Sequence, residues 1–175
     1  MAIFENAVAT LEQAAVIDTP ADAIRSVLDK VITPPVEAVL SGSWLGHPVH
    51  PLLVTAPIGA WMSAGFLDIT KGDPVAARRL VGFGVGCAVA SAVTGWSDWH
   101  KTTGPAARVG LVHAVCNGTA VALYAGSWRA RAAGNDKLGR RLAFAGAALL
   151  SVGGFLGGHL SYALGVNVRP SAHSS

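Results

Sequence analysis

Four histidines stand inside or at the lip of uncharged runs: His47 and His50 in Gly46-His47-Pro48-Val49-His50-Pro51, His113 in Leu111-Val112-His113-Ala114, and His159 in Gly157-Gly158-His159-Leu160. An ionisable side chain in lipid is expensive, so one found there tends to face a bundle interior and to mark function. Imidazole is also the commonest protein ligand for transition metals and a usual one for haem. Counting along the chain puts all four near one membrane face. Two rings facing each other would suit the axial positions of a haem. Four rings converging with Asp98 would suit a non-haem metal ion. For any one histidine alone, a satisfied packing role is the simpler account, and convergence is what favours ligation.

The local contexts add chemistry. His47 and His50 are three apart, which places them on one face if both are helical. Pro48 and Pro51 are tolerated in a first turn, where their missing N–H costs nothing. The element thus predicts a stiff helix start presenting one or two imidazoles. Asn117, one turn beyond His113, is placed to hydrogen-bond it from the side. His100, beside Lys101, reads as interfacial, and His173 lies in the polar tail. No P-loop, dinucleotide-binding glycine motif, GxSxG or HExxH occurs, so hydrolase and kinase chemistry has no support.

Elements must exist to carry those rings. Only 13% of the 175 residues are charged and 51% are hydrophobic. Residues 38–67, 80–97, 109–128 and 142–168 contain no Asp, Glu, Lys or Arg. Each can supply the roughly 20 residues of a spanning helix. Four transmembrane helices are expected near 51–70, 76–97, 107–128 and 141–163. The fold class is therefore all-α: an integral membrane four-helix bundle. Eight basic residues (Lys71, Arg78, Arg79, Arg129, Arg131, Lys137, Arg140, Arg141) fall on one side and three (Lys101, Arg108, Arg169) on the other. The positive-inside rule makes the first side cytoplasmic and sends both termini outward. The net charge of +3 is then a topology signal and not a nucleic-acid footprint.

Residues 1–44 form an extramembrane segment of amphipathic helices, 45–168 the transmembrane domain, and 169–175 a disordered tail. The first segment carries six acids and two bases. Its stripes suit helices lying on the bundle, on the membrane surface or on a partner. Its acids suit a solvated face or a docking surface for a basic partner.

The spanning helices read as a tandem two-helix repeat. Ala77-Arg78-Arg79-Leu80 matches Gly139-Arg140-Arg141-Leu142 at an offset of 62, and His50 matches His113 at 63. Such a repeat keeps its orientation in the membrane. Gly82–Gly86, Gly153–Gly157 and Gly154–Gly158 have the spacing that lets helix backbones approach closely, and they leave room for a flat macrocycle. Trp44, Trp61, Trp96, Trp99 and Trp128 read mostly as interfacial anchors. Pro57 predicts a kink in the first span. Asp68 is expected to pair with Lys71 or an arginine. Cys87 and Cys116 are expected to be small buried thiols mid-membrane.

The stretch Leu45-Gly46-His47-Pro48-Val49-His50-Pro51-Leu52-Leu53-Val54-Thr55-Ala56-Pro57-Ile58-Gly59 resembles the signature of a family of predicted bacterial membrane proteins, the domain of unknown function 2231. Gly157-Gly158-His159-Leu160-Ser161-Tyr162 with Gly165-Val166 resembles that family's closing motif. The resemblance runs from about Trp44 to Val168. It implies four membrane helices and, because some members accompany Rieske-type iron–sulfur domains, a redox setting. It carries the family's motif positions onto His47, His50, His113 and His159. No Rieske domain is present here, so such a partner would be a separate chain.

These readings predict a multi-pass protein of the bacterial cytoplasmic (inner) membrane. It would act as a redox subunit holding a haem b or a metal ion at its outward end, through His50 and His113 or through His113 and His159. It would be a non-catalytic electron-transfer component of an oxidoreductase complex, in contact with lipid, with a membrane or periplasmic redox partner and with further copies of itself. The competing expectations are a transition-metal binding or transport protein and a cofactor-free structural subunit of a membrane complex.

Overall fold

The computed structural model describes residues 2–168. Expectations for the tail 169–175, His173 among them, lie outside the described residues. Those residues form three N-terminal helices, α1 (Ala2–Gln13), α2 (Asp18–Val31) and α3 (Pro34–Ser41), with a short 3-10 turn between the first two. The bundle follows as α4 (His50–Leu53), α5 (Thr55–Ile69), α6 (Pro74–Trp99), α7 (Gly104–Ala132) and α8 (Asp136–Tyr162). Four spans are long and apolar enough to cross a membrane: His50–Ile69, Pro74–Trp99, Gly104–Ala132 and Asp136–Tyr162. They run up and down as a ring in which α5 packs on α6, α6 on α7, α7 on α8 and α8 on α5.

The helices outrun their uncharged cores. The turns shrink to residues 70–73, 100–103 and 133–135. Most of the basic residues expected in loops therefore sit on helix ends: Arg78 and Arg79 on α6, Arg129 and Arg131 on α7, Lys137, Arg140 and Arg141 on α8. Proline opens α6 and α7, and Asp73 caps α6 by accepting from Val75 N–H (2.8 Å). The expected break in the first span occurs at Val54, between α4 and α5. Pro57 has no N–H for the carbonyl of Leu53, and the ladder fails at that point.

Of the alternatives for the N-terminal helices, docking on the bundle is the one observed: α1 and α2 lie on α7, and α3 on α6. Three of the six acids reach across to the bundle. Arg108 grips Asp18 with two bonds of 2.7 and 2.6 Å and donates to the Glu12 carbonyl (2.6 Å). Glu12 Oε1 meets His159 Nε2 at 2.6 Å, and Glu37 pairs with Lys101. Arg25 bonds the carbonyls of His100 (3.1 Å) and Thr102 (2.8 Å) and lies 5.5 Å over the Trp99 ring. Neither a purely solvated face nor a surface reserved for a basic partner describes Glu12, Asp18 and Glu37.

This docking predicts an acid response. The hydrogen bond from Arg108 holds the Asp18 carboxyl below its usual range, against some desolvation, with the charges of Arg108 and Arg25 assisting. Lys101 does the same for Glu37, first by its hydrogen bond and then by its charge. A native value below the unfolded one means stability that is complete above about pH 5 and is lost as pH falls through the native values. A fluorophore pair spanning α2 and α7 should separate on acidification. Asp18→Asn should loosen the docking already at neutral pH and flatten the transition; an acid-insensitive distance in the unmodified protein would refute this account.

The tandem repeat is visible in side-chain packing. Trp61 of α5 fills a notch at Gly84 of α6, where an added Cβ would come within 2.4 Å of its ring. Tyr124, 63 positions later, fills the notch at Gly146, 62 positions after Gly84. The two rings stack at mid-bundle, 4.0 Å apart and 4° from parallel. Trp61 Nε1–H donates to the Val81 carbonyl (3.2 Å). Trp61 is thus core and not an interfacial anchor, and Trp99 is buried as well, donating to the Ala107 carbonyl (2.9 Å). Cys87 and Cys116 are half-buried and free.

Asp68 pairs with an arginine, and that arginine belongs to the other half. Arg131, 63 positions on, binds it with bonds of 2.9 and 2.5 Å. Both side chains are almost fully buried, and Ser127 accepts from Arg131 Nε (3.2 Å) while donating to the Gly139 carbonyl (2.7 Å).

Candidate functional site at the histidine end

His50 sits in the first turn of α4, just before Pro51, and leans across to α6. Its Nδ1 lies 2.8 Å from the Ser91 carbonyl. A carbonyl only accepts, so Nδ1 carries a proton, and in the neutral ring Nε2 is the nitrogen with the free lone pair. The approach is possible because residue 95, one turn beyond Ser91, is glycine: a Cβ there would stand 2.9 Å from His50 Cε1. Thr94 Oγ1–H donates to the same carbonyl (2.9 Å).

The second half repeats this arrangement. His113 of α7 places Nδ1 2.8 Å from the Gly153 carbonyl of α8, and a Cβ at Gly157 would stand 2.9 Å from its Cε1. Ser91 and Gly153, like Gly95 and Gly157, are 62 apart. Each hairpin therefore presents one imidazole with its tautomer fixed by a backbone carbonyl and with Nε2 facing away from that bond.

Asn117 approaches His113 as expected from its spacing, but not along the lone pair. Its Nδ2 is 3.0 Å from Nε2 and 3.3 Å from Nδ1. Near-equal distances to both nitrogens place the amide against the flank of the ring. Asn117 occupies the notch at Gly153 and braces the imidazole there.

The other predicted residues are distributed differently. His159 is on α8, paired with Glu12, and its Nε2 is thereby engaged. His47 is exposed on the approach to α4 and outside any helix, so it does not share a helical face with His50. The turn before it sets this geometry: Gly42 is left-handed (φ 79°), with the His47 carbonyl so close that a Cβ would stand at 2.2 Å. Asp98, at the end of α6, has Asn167 beside it, and its Oδ2 is buried without a hydrogen-bond partner among the described residues. Asn167 is carried there by the turn that ends α8, where Gly165 (φ 68°) lets Val166 N–H reach the Leu160 carbonyl (2.8 Å). His100 bonds the Ser97 carbonyl (2.6 Å).

These positions bear on what the site can hold. Two imidazole nitrogens would supply two of the ligands that a haem iron or a metal ion takes. Among the described residues no three His, Cys, Asp or Glu side chains converge as an ion site. Of the glycines expected to leave room for a macrocycle, Gly82 is filled by Trp128, Gly153 by Asn117 and Gly157 by His113, as Gly84 is by Trp61, Gly95 by His50 and Gly146 by Tyr124, while Gly86, Gly154 and Gly158 have nothing within 4 Å. Several of these glycines seat side chains. The donor chemistry of the two imidazoles fits a haem or a metal ion.

The sequence also carries signals for the site's supports. Trp61 and Tyr124 share the offset of His50 and His113, as do Asp68 and Arg131. The aligned glycines at 95 and 157 marked where the imidazoles land.

The carbonyl-bound imidazoles give a direct prediction. Gly157→Ala and Gly95→Ala should each swing the ring off its carbonyl while leaving helix content intact. Magnetic resonance of the imidazole Nδ1 should show a lost or weakened hydrogen bond; unchanged signals would contradict the tight contact.

Fold and site together define a helical membrane protein of two equivalent hairpins, each holding one imidazole on a backbone carbonyl near the same end. The family described as predicted membrane protein, DUF2231, matches residues 46–170, and the chain belongs to it. That match begins after α1–α3. No curated protein and no solved structure matches the chain.

Proposed function

We propose that the chain is a membrane redox subunit in which Nε2 of His50 and Nε2 of His113 bind a metal centre at one end of the bundle. The remaining coordination positions come from donors the chain does not supply, either a porphyrin, as in haem b, or ligands from a partner. The observation that carries this reading is the duplicated Nδ1···carbonyl bond, at 2.8 Å in both halves. A metal-binding histidine typically donates its other ring N–H to such a partner, which fixes tautomer and direction. Burial near a membrane face and the flanking amide of Asn117 would tune the centre.

The orientation belongs to the same proposal. The excess of lysine and arginine at the opposite end supports a cytoplasmic location there, with the histidine end and both termini outward in a bacterial inner membrane. The redox partner would then meet the protein on that outer side, and a Rieske-type protein is the kind that the family resemblance suggests. A transport reading gains less support. The stacked Trp61 and Tyr124 fill the middle of the bundle, and the Asp68–Arg131 pair closes the far end.

The test is the metal content and visible spectrum of protein purified from its native membrane. A stoichiometric metal is expected, with a Soret band and a reduced α-band if the centre is haem. His50→Ala and His113→Ala should each lower occupancy by about tenfold or more. His47→Ala should leave it unchanged. Wild-type protein with neither metal nor chromophore would defeat the proposal and leave the cofactor-free structural subunit.

A further inference from the structure

The basic end carries a second feature. A concavity there is lined by Leu67, Lys71, Gly72, Pro74, Asp136 and Arg140, where the turn after α5 faces the start of α8. Asp68 also borders it, but its charge is cancelled by Arg131. Lys71, Lys137, Arg140 and Arg141 outnumber Asp73 and Asp136 over this turn and the first turns of α8, which leaves the ledge cationic. Leu67 also lines an adjoining trough with Met62, Ser63 and Phe66 on α5. Met62 and Phe66 are 70% and 65% exposed on a helix that faces lipid, so the trough is apolar and open to the bilayer.

We propose that this continuous trough and ledge bind an anionic phospholipid. An acyl chain lies along Met62 and Phe66, and the phosphate sits between Lys71 and Arg140. Charge complementarity selects the headgroup, since a basic recess between spanning helices favours anionic lipid over zwitterionic lipid. The apolar trough selects a lipid over free phosphate, because only a lipid covers both surfaces. The position at the α5–α8 seam means that the bound lipid bridges the two halves of the repeat.

Native mass spectrometry of the full chain in detergent, with added phosphatidylglycerol or phosphatidylcholine, tests this. Phosphatidylglycerol should be retained about tenfold better. Lys71→Ala with Arg140→Ala should abolish that preference, while Arg78→Ala with Arg79→Ala, which removes equal charge from the same end, should keep it. Phe66→Ser should weaken retention of both lipids. Equal loss in the two charge variants would show a diffuse basic surface and overturn the site. So would displacement by millimolar inorganic phosphate, or the absence of any preference in the wild type.

Discussion

Replacing Arg131 with alanine should destabilise the protein by about 3–5 kcal/mol, because it leaves the Asp68 carboxylate buried without its partner. The side chains are 1% and 4% exposed, and no other cation bonds Asp68 among the described residues. The pair joins the end of α5 to the end of α7, so it fastens one half of the repeat to the other. The loss is expected as lower resistance to thermal unfolding in mild detergent. Removing both charges is a different experiment. Asp68→Leu with Arg131→Met should recover most of the stability, since an apolar pair has no desolvation to offset. A single Arg131→Ala variant that loses less than about 1 kcal/mol would place the pair with exposed ion pairs, whose contribution is small.

Trp61→Ala should cost about 2–3 kcal/mol, chiefly for the cavity left in the stack. Its ring is 4% exposed, stacks on Tyr124 at 4.0 Å and fills the notch at Gly84. Lipid is as apolar as the bundle core, so the loss is one of packing and not of transfer from water. Trp61→Phe keeps an aromatic face and loses the bond to the Val81 carbonyl, so about 1 kcal/mol is expected. The same melting measurements separate these cases. If Trp61→Ala and Trp61→Phe melt together, the stack is not what holds the halves.

Both predictions concern the device that brings His50 and His113 to one end. The aromatic stack and the buried ion pair fix how the two hairpins face each other. The imidazoles are positioned inside each hairpin, by a carbonyl and a glycine. Variants at the hairpin junction should therefore lower stability first, and variants at Gly95 or Gly157 should disturb the rings first.

The sequence determined the number of spans, their places and the duplication. Those properties are one-dimensional: an uncharged run of sufficient length needs no partner to be recognised, and an internal offset survives in the text. It also identified His50 and His113 as equivalent, and Asn117 as the neighbour of one of them. It could not show that His159 is taken by Glu12, because 147 residues separate them. It could not show that His47 falls outside the helix, because a left-handed turn at Gly42 sets that path. Nor could it separate glycines that seat side chains from glycines that make room for a macrocycle. Composition records only that a Cβ is missing, and what enters the missing volume is decided by the helix packed opposite.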